Sequence, residues 1–231
     1  MDELINKDNY DTLLNAFAKE YRKLHKNIPL EITIVGGGSI LINYGFREMT
    51  HDFDIATNMP RALNDVIINV ANKYGLPSDW MNEDFRFSKS YSPKIQSISK
   101  FYRSLNNGTI TIRTVSSKYL VAMKMQSDRE FGHDIPDIVG ILKCELHDGN
   151  RISYEDVEKA GIFLYDSDFN PSDSLKKRVE QYTKMNEDQL EEIYNQTVYK
   201  SGVIKEETLK QAEGLNRDQV KELAIKIEKE F

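Results

Sequence analysis

The sequence predicts an α/β protein of the α+β type, in which a mixed, mostly antiparallel sheet is flanked by helices and followed by a helical C-terminal region. Three observations support this fold class. Short β-favouring runs alternate with amphipathic helical segments up to Gly75, a period of two appears on both sides of the turn "NNG", and highly charged helical segments follow Arg151. We therefore divide the chain into a sheet-containing domain, residues 1–150, and a helical C-terminal region, residues 151–231.

The first elements alternate between helix and strand. Apolar residues at helical spacing predict a helix over residues 10–24, and the run "LEITIV" predicts the first strand. The segment "SILINYGF" is expected to form a short helix that ends near Gly45 in a left-handed cap. The run "HDFDIAT" predicts a second strand, and the next helix is expected to begin at Asn58 and Pro60 and to end at Gly75.

A hairpin followed by helices is predicted for the rest of the chain. Alternating residues in "KIQSISKFYRSL" and "TITIRTV", joined by "NNG", predict two antiparallel strands. Ser116 or Ser117 can cap a helix over "SSKYLVAMKMQ", and "PDIVGILKCELH" predicts another helix. Charged segments with helical spacing, from "YEDVEKAGIFLY" to "RDQVKELAIKIEKEF", account for the C-terminal region.

The composition argues against several classes of protein. The chain has 31 Lys and Arg against 37 Asp and Glu, so its net charge of −6 gives no general attraction to nucleic acid. Its one cysteine, Cys144, cannot form an internal disulfide, and no apolar run approaches the roughly 20 residues of a membrane-spanning helix. The opening segment lacks the features of a secretion signal, and we therefore expect a cytoplasmic protein without membrane contact.

A glycine-rich loop is the first candidate for ligand binding, and it consists of Gly36, Gly37, Gly38 and Ser39. Glycines at a strand-to-helix turn allow a ligand to approach the backbone, and the N–H groups that start a helix attract phosphate. The spacing matches neither a P-loop nor a dinucleotide-binding motif. The alternative is a tight structural turn that binds nothing.

Two aspartates form the second candidate. Asp52 and Asp54 are two residues apart in a predicted strand, so their side chains are expected to point to one face and can share a divalent cation. Phe53 between them is expected to face the buried side. The alternative is a polar strand edge with two solvated charges. We favour the metal because two like charges held close together are unfavourable without a cation, and because Asp is uncommon in strands.

Together these residues resemble the DNA polymerase β-type nucleotidyltransferase superfamily. The fuller pattern "VGGGSILINYGFREMTHDFDIAT", with Arg47 and Thr50 ahead of the two aspartates, resembles its minimal bacterial branch, which includes the abortive-infection toxin nucleotidyltransferases. The segment "YLVAMKMQSDREFGHDIPDIVGIL" is similar to the second signature of that branch, whose polar positions correspond to Lys124, Arg129, Asp134 and Asp137. The resemblance covers residues 32–142.

The resemblance implies a nucleotidyltransferase-like fold and a metal-dependent transfer of a nucleoside monophosphate from a nucleoside triphosphate to an RNA or protein acceptor. It implies Mg²⁺ or Mn²⁺ on Asp52 and Asp54, and catalytic roles for Lys124 and Asp137. The nucleotide is then expected on the glycine loop, with Arg47 and Thr50 beside it. The same resemblance predicts the toxin of a toxin–antitoxin or defence system, with an antitoxin partner.

Several alternatives stay open. Lys124 either binds phosphate or is a surface lysine, and Arg47 either contacts phosphate or stabilises the fold near Asp54. Asp134 is better explained as a helix N-cap than as a site residue, whereas Asp137 is the better site candidate. Which glycines match the superfamily motif, Gly36 and Gly37 or Gly38 with Ser39, is also ambiguous.

The strand "TITIRTV" lacks the third metal-binding carboxylate that many superfamily members carry. Either one metal suffices, or Asp134 or Asp137 enters from the helical side. This departure leaves a non-catalytic nucleotide-binding module as one alternative function. The charged C-terminal helices leave a protein-interaction module as another.

Three other conspicuous residues are given no role in the site. His51 and His133 lack the spacing of zinc ligands and are interpreted as ordinary polar residues. Trp80 is interpreted as a packing residue beside the sheet.

Overall fold

The structure, a computed structural model, describes residues 4–57, 63–127, 134–212, 214–215 and 217–230. Its helices are α1 (Tyr10–His25), α2 (Gly36–Asn43), α3 (Leu63–Tyr74), α4 (Ile95–Ile98), α5 (Ser117–Ser127), α6 (Asp134–His147), α7 (Tyr154–Tyr165), α8 (Asp173–Lys184), α9 (Glu187–Gln211) and α10 (Arg217–Glu230). Its strands are β1 (Ile5–Asn6), β2 (Leu30–Thr33), β3 (Met49–Thr50), β4 (Phe53–Asp54), β5 (Met81–Asn82), β6 (Ser99–Leu105) and β7 (Ile110–Val115). The predicted α+β class, with small sheets flanked by helices, is confirmed.

The strands form three small sheets within the described residues. β7 lies between β2, to which it is parallel, and β6, to which it is antiparallel. β1 pairs antiparallel with β3, and β4 pairs parallel with β5. A single bridge between Ile34 and Ile55 connects the end of β2 to the end of β4. This bridge brings the loop after β2 next to the two candidate aspartates.

Two buried clusters of apolar side chains hold the fold together. The first packs α1 and α3 against β2 and β4 and includes Phe17, Ile32, Phe53 and Trp80. Trp80 is fully buried and donates its indole N–H to the carbonyl oxygen of Ile67 at 3.1 Å, which confirms that it is a packing residue.

The second cluster joins α5, α6, α7, α8 and α9. It contains Val121 and Ile138 from one side of residue 150 and Val157, Val179 and Leu190 from the other. The core therefore continues across the predicted boundary, and the division at residues 150 and 151 stays a prediction.

The local signals for the hairpin and its turn are confirmed. β6 and β7 pair antiparallel, and Asn106, Asn107 and Gly108 between them all have positive φ, at 50°, 54° and 89°. Asn and Gly tolerate this conformation best, which is why the turn forms at "NNG". The first strand of the hairpin is shorter than predicted, because Ile95–Ile98 forms a helical turn and β6 begins at Ser99.

The helix after β2 differs from the prediction at both ends. α2 starts at Gly36, with φ of 57°, so the glycines begin the helix rather than precede it. It ends at the extended residue Tyr44, whose N–H donates to the carbonyl oxygen of Ile40, and Gly45 is not left-handed. The predicted left-handed cap at Gly45 is therefore wrong, whereas the one at Gly75, with φ of 67°, is confirmed. The predicted helix start at Asn58 and Pro60 lies outside the described residues.

No helix of the described ranges is both long enough and apolar enough to cross a bilayer.

Gly38 fixes the distance between α2 and the strands beneath it. A Cβ at this position would lie 2.6 Å from Cδ1 of Phe53 and 2.9 Å from Cγ2 of Ile34, both fully buried. We expect Gly38→Ala to lower the free energy of unfolding by about 1–3 kcal/mol through overpacking. Urea denaturation measures this change, and Gly45→Ala is the matched control because a Cβ there meets nothing within 4 Å. Equal stability of the two variants would contradict this packing role.

Candidate active site

A cleft of about 280 Å³ opens at the start of α2. Most of the residues that the sequence singled out line it, namely Gly36, Gly37, Arg47, Thr50, Asp52, Asp54 and Lys124. Phe85, Leu120 and Met123 supply an apolar wall, and Asp134 lies on the same surface. The structure thus brings the glycine loop, the aspartate pair and the lysine together from separate parts of the chain.

The two aspartates face this cleft from either side of Phe53: Asp54 ends β4, and Asp52 directly precedes this strand, which is shorter than the predicted "HDFDIAT". Asp52 and Asp54 are half-buried, and Phe53 between them is fully buried on the opposite side, as predicted. The backbone N–H of Val35 donates to the carbonyl oxygen of Asp54 at 2.9 Å. A Cβ on Gly36 would lie 3.5 Å from Oδ2 of Asp54, so the start of α2 sits directly against this carboxylate.

Close contacts on the other side of the loop explain the second glycine. A Cβ on Gly37 would lie 2.8 Å from Nη2 of Arg47 and 3.1 Å from Oγ1 of Thr50. Thr50 in turn donates its hydroxyl to the backbone carbonyl oxygen of Asp52 at 3.2 Å. Only a residue without a side chain allows Arg47 and Thr50 to approach the loop this closely.

The other two members of the loop face away from the cleft. Gly38 packs against Phe53, and Ser39 is fully buried. Oγ of Ser39 accepts a hydrogen bond from the backbone N–H of Val115 at 2.9 Å, which ties α2 to β7. Gly36 and Gly37 therefore reach the cleft, whereas Gly38 and Ser39 hold the helix in place, and the match of each residue to the superfamily motif stays a prediction.

Lys124 is held between two carboxylates. Its Nζ lies 2.7 Å from Oδ1 of Asp134 and 2.8 Å from Oδ2 of Asp137. Burial alone would lower the pKa of Lys124, but the negative charges of Asp137 and Asp134 outweigh it and raise the pKa above its ordinary value. Lys124 is therefore an ammonium ion at neutral pH, and it is only 15% exposed, unlike an ordinary surface lysine.

Asp137 connects this lysine to Arg47. Nη1 of Arg47 donates to both carboxylate oxygens of Asp137, at 2.8 and 2.7 Å. Arg47 is thus paired with Asp137 on α6, a pair that no local pattern in the sequence indicates. Asp137 is 4% exposed and lies behind the two cations, outside the lining of the cleft.

The sequence analysis favoured Asp137 over Asp134 as a site residue, but Asp134 is the one that lines the cleft. There it accepts hydrogen bonds from Lys124 and from the hydroxyl of Ser127. Arg129 and His133, which belong to the same segment of the sequence, lie outside the described residues.

Asn82 is a site residue that the sequence analysis missed. β4 and β5 are parallel and place Asn82 directly opposite Asp54, and its Nδ2 donates to Oδ2 of Asp52 at 3.0 Å. A flip of the Asn82 amide, which exchanges its oxygen and nitrogen, would break further hydrogen bonds. Its Oδ1 accepts from the N–H of Asp84 at 2.8 Å, and its Nδ2 also donates to the carbonyl oxygen of Asp79. No local signal marks Asn82, since only the pairing of two strands about 30 residues apart brings it to Asp52.

Comparison with known families agrees with this geometry. Residues 12–152, more than half of the chain, match the family described as "Nucleotidyltransferase of unknown function (DUF6036)". The chain belongs to this nucleotidyltransferase family. No curated protein and no solved structure matches the chain. The predicted membership of a nucleotidyltransferase family is confirmed, while the abortive-infection branch stays a prediction.

All the described residues that line the cleft, from Gly36 to Asp134, lie within the matched segment. It ends before α7, so the helices from α7 onward lie outside the family segment.

The donors in the cleft fit a hard divalent cation. Asp52 and Asp54 offer carboxylate oxygens beside a helix start, which suits Mg²⁺ or Mn²⁺ that keeps some water and shares the phosphates of a substrate. Across the described residues, no three His, Cys, Asp or Glu side chains are grouped so as to hold a metal ion. Among the described residues, Asp52 and Asp54 are thus the candidate ligands for this cation.

Proposed function

We propose that this nucleotidyltransferase transfers a nucleoside monophosphate from a nucleoside triphosphate to a hydroxyl group of an RNA or protein acceptor, using Mg²⁺ or Mn²⁺ on Asp52 and Asp54. The observation that carries the proposal is the meeting of both carboxylates with the glycine start of α2 in one cleft. Asp52 and Asp54 would hold this cation, which would offset the charge of the triphosphate during attack on the α-phosphorus.

The start of α2 binds the phosphates in this proposal. The first hydrogen bond inside the helix runs from the N–H of Ser39 to the carbonyl oxygen of Val35, so the N–H groups of residues 36–38 precede it. Such groups, at the positive end of the helix dipole, bind phosphate oxygens. Gly36 and Gly37 line the cleft and let the phosphates approach this backbone closely.

The charges around the cleft make the cation necessary for nucleotide binding. Among the described residues, the cations Arg47 and Lys124 are matched by Asp134 and Asp137, to which they are hydrogen-bonded. The carboxylates of Asp52 and Asp54 add negative charge to the cleft, and this charge repels the phosphates of a triphosphate. A divalent cation reverses this repulsion, so the nucleotide is expected to bind as its metal complex.

Lys124 acts as a fixed positive charge. With its pKa raised by Asp137 and Asp134, it keeps its proton at neutral pH and does not serve as a base. Its ammonium group stabilises the charge of the phosphates and of the departing pyrophosphate. Asp137 has a positioning role, because it does not itself line the cleft. It holds the side chains of Arg47 and Lys124, which do.

The two alternative functions lose support. Membership of a nucleotidyltransferase family favours an enzyme over a non-catalytic nucleotide-binding module or a helical interaction module. The toxin role and the antitoxin partner rest on the sequence resemblance alone and stay predictions.

Asn82 is assigned a positioning role, since it holds one carboxylate oxygen of Asp52 and leaves the other for the cation. Outer partners of metal ligands typically contribute about 10–100-fold to metal affinity. We therefore expect Asn82→Leu to weaken Mn²⁺ binding by at least about tenfold. Titration with Mn²⁺ followed by electron paramagnetic resonance measures this affinity without requiring turnover.

Asn69→Leu is the control for this experiment. Asn69 is exposed on α3, and its side-chain amide donates a hydrogen bond to Glu20, far from the aspartate pair in the sequence. Unchanged Mn²⁺ affinity in a folded Asn82→Leu variant would contradict the positioning role.

Isothermal titration tests the proposed function itself. Each of the four common nucleoside triphosphates is titrated into the full chain, once with Mg²⁺ and once with a chelator. We expect binding of at least one nucleotide with Mg²⁺ and at least tenfold weaker binding with the chelator, because the carboxylates of Asp52 and Asp54 repel the phosphates when no cation lies between them. Binding that is independent of the metal, or no binding of any nucleotide, would contradict the proposal.

A further inference from the structure

A second concavity, which we call the side groove, lies beside the cleft. It has a volume of about 470 Å³ and is lined chiefly by Phe46, Met49, Pro136, Tyr194 and Val198. Arg47, Thr50 and His51 line both the cleft and the side groove, so the two concavities meet at these residues. A molecule in the side groove therefore lies next to a nucleotide in the cleft.

The walls of the side groove are firmly placed. Phe46 fits against Gly140 on α6 so closely that a Cβ there would lie 2.5 Å from its ring. The rings of Phe46 and Tyr194 meet edge to face with centroids 5.6 Å apart, and the hydroxyl of Tyr194 donates to the carbonyl oxygen of Phe46 at 3.3 Å. These contacts hold α9 over the segment that leads to the aspartate pair.

The groove combines residues of the family segment with residues outside it. Phe46, Met49 and Pro136 lie within residues 12–152, whereas Tyr194 and Val198 belong to α9. By contrast, all the described residues that line the cleft lie within the family segment. A reaction site within the family segment and a groove wall outside it would let a transferase combine one chemistry with its own acceptor.

The chemistry of the lining favours a protein acceptor over RNA. Arg47 is paired with Asp137, Glu48 adds a negative charge, and no lysine is among the described lining residues. Among the described lining residues, a phosphodiester backbone would therefore find no cation without a carboxylate partner, and phosphate binding relies on Lys and Arg. Met49 and Val198, which are 48% and 43% exposed, instead offer apolar surface to a ligand.

Building on the proposed function, we infer that the side groove binds the acceptor, and that the acceptor is a protein segment presenting a tyrosine side chain. Its ring packs against Phe46, Tyr194 and Val198, and its hydroxyl reaches the cleft past Thr50. The phenol oxygen forms a bond to the α-phosphorus while the bond from that phosphorus to the bridging oxygen breaks. Pyrophosphate leaves with the bonding electrons, and the phenol proton is released to solvent.

The test measures label transfer to defined probes by the full chain. The four α-³²P-labelled nucleoside triphosphates are mixed with Mg²⁺ and one of three probes: N-acetyl-tyrosinamide, N-acetyl-serinamide, or an oligoribonucleotide with a free 3′-hydroxyl. We expect labelling of the tyrosine probe with a kcat/KM at least tenfold above that of the serine probe.

Two neighbouring residues on α9 provide a matched pair of variants. Val198 lines the groove, whereas Tyr199 is 76% exposed and does not. Val198→Glu is expected to raise KM for the tyrosine probe at least tenfold and to leave the affinity for the metal–nucleotide complex within twofold of wild type. Tyr199→Glu is expected to change neither quantity.

The outcomes separate the inference from the function on which it rests. Labelling of the oligoribonucleotide alone, nucleotide binding without labelling of the tyrosine probe, or equal behaviour of the two α9 variants overturns the inference and leaves the proposed function standing. If the wild-type chain neither binds a nucleotide with Mg²⁺ nor releases pyrophosphate, the proposed function fails and the inference fails with it.

Discussion

Lys124→Met is expected to lower the free energy of unfolding by about 3 kcal/mol, because it removes the cation from between two buried carboxylates. Asp134 and Asp137 are only 8% and 4% exposed at their side chains, so water cannot replace the lost ammonium group. Arg47 still pairs with Asp137 in the variant. The lost stability is therefore expected to come mainly from Asp134, which no longer has the ammonium group of Lys124 beside it. Urea denaturation of wild type and variant measures the difference.

Lys159→Met is the control, since Lys159 forms an exposed pair with Glu155 on α7, and such pairs contribute only about 0–1 kcal/mol. Lys124→Arg keeps the charge and is expected to recover most of the stability. Under conditions in which each variant is folded, Lys124→Met should also bind the metal–nucleotide complex at least about tenfold more weakly. A Lys124→Met protein as stable as Lys159→Met, with wild-type nucleotide affinity, would show that the lysine has no role in the site.

The stabilisation by Lys124 should persist across neutral pH. Because the pKa of Lys124 is raised in the folded protein, its contribution is complete below the ordinary lysine value of about 10.4 and is lost only as the pH rises through the raised value. The stability difference between wild type and Lys124→Met is therefore expected to be constant from about pH 6 to 9. A difference that disappears within this interval would contradict the assignment of a permanently charged lysine.

Asp52→Asn and Asp54→Asn are expected to reduce nucleotidyl transfer by roughly 10³-fold or more, the equivalent of about 4 kcal/mol in the barrier. Each variant removes half of the charge that holds the cation. Both should fold, and in metal-free buffer they should be at least as stable as wild type, because the repulsion between the two carboxylates is relieved. Steady-state pyrophosphate release and thermal unfolding measure the two effects.

Asp173→Asn serves as the matched control for the aspartate variants, since Asp173 is 91% exposed at the start of α8 and remote from the cleft lining. Wild-type turnover in either Asp52→Asn or Asp54→Asn would remove the metal role from that residue. A loss of turnover that accompanies unfolding would instead assign the aspartates to the fold.

The elements that the sequence predicted well are those decided by neighbouring residues. The turn at Asn106 to Gly108 needs three residues that tolerate positive φ, and the sequence provides them. The alternation of polar and apolar residues around Phe53 is enough to place Asp52 and Asp54 on the side opposite the core. These features therefore follow from local rules.

The features that the sequence did not reveal depend on contacts between distant segments. Asp134 and Asp137 are three residues apart on one helix, and only the packing of α6 beside α5 decides that Asp134 faces the cleft. Asn82 reaches Asp52 through the pairing of β4 with β5, which no local pattern encodes. Ser39 looked like a phosphate ligand in the sequence, but the helix begins at Gly36 instead of Ser39, and Ser39 is bonded to Val115.

The most direct test of the proposed nucleotidyl transfer follows the α- and γ-phosphates of one nucleotide separately. The full chain is incubated with Mg²⁺, cell RNA and cell protein, together with a nucleoside triphosphate labelled either at the α- or at the γ-phosphorus. We expect the α-label to become attached to a macromolecule and the γ-label to leave as pyrophosphate, both only in the presence of the metal and neither with Asp52→Asn. Attachment of the γ-label, or no attachment of either label with any of the four nucleotides, would contradict nucleotidyl transfer.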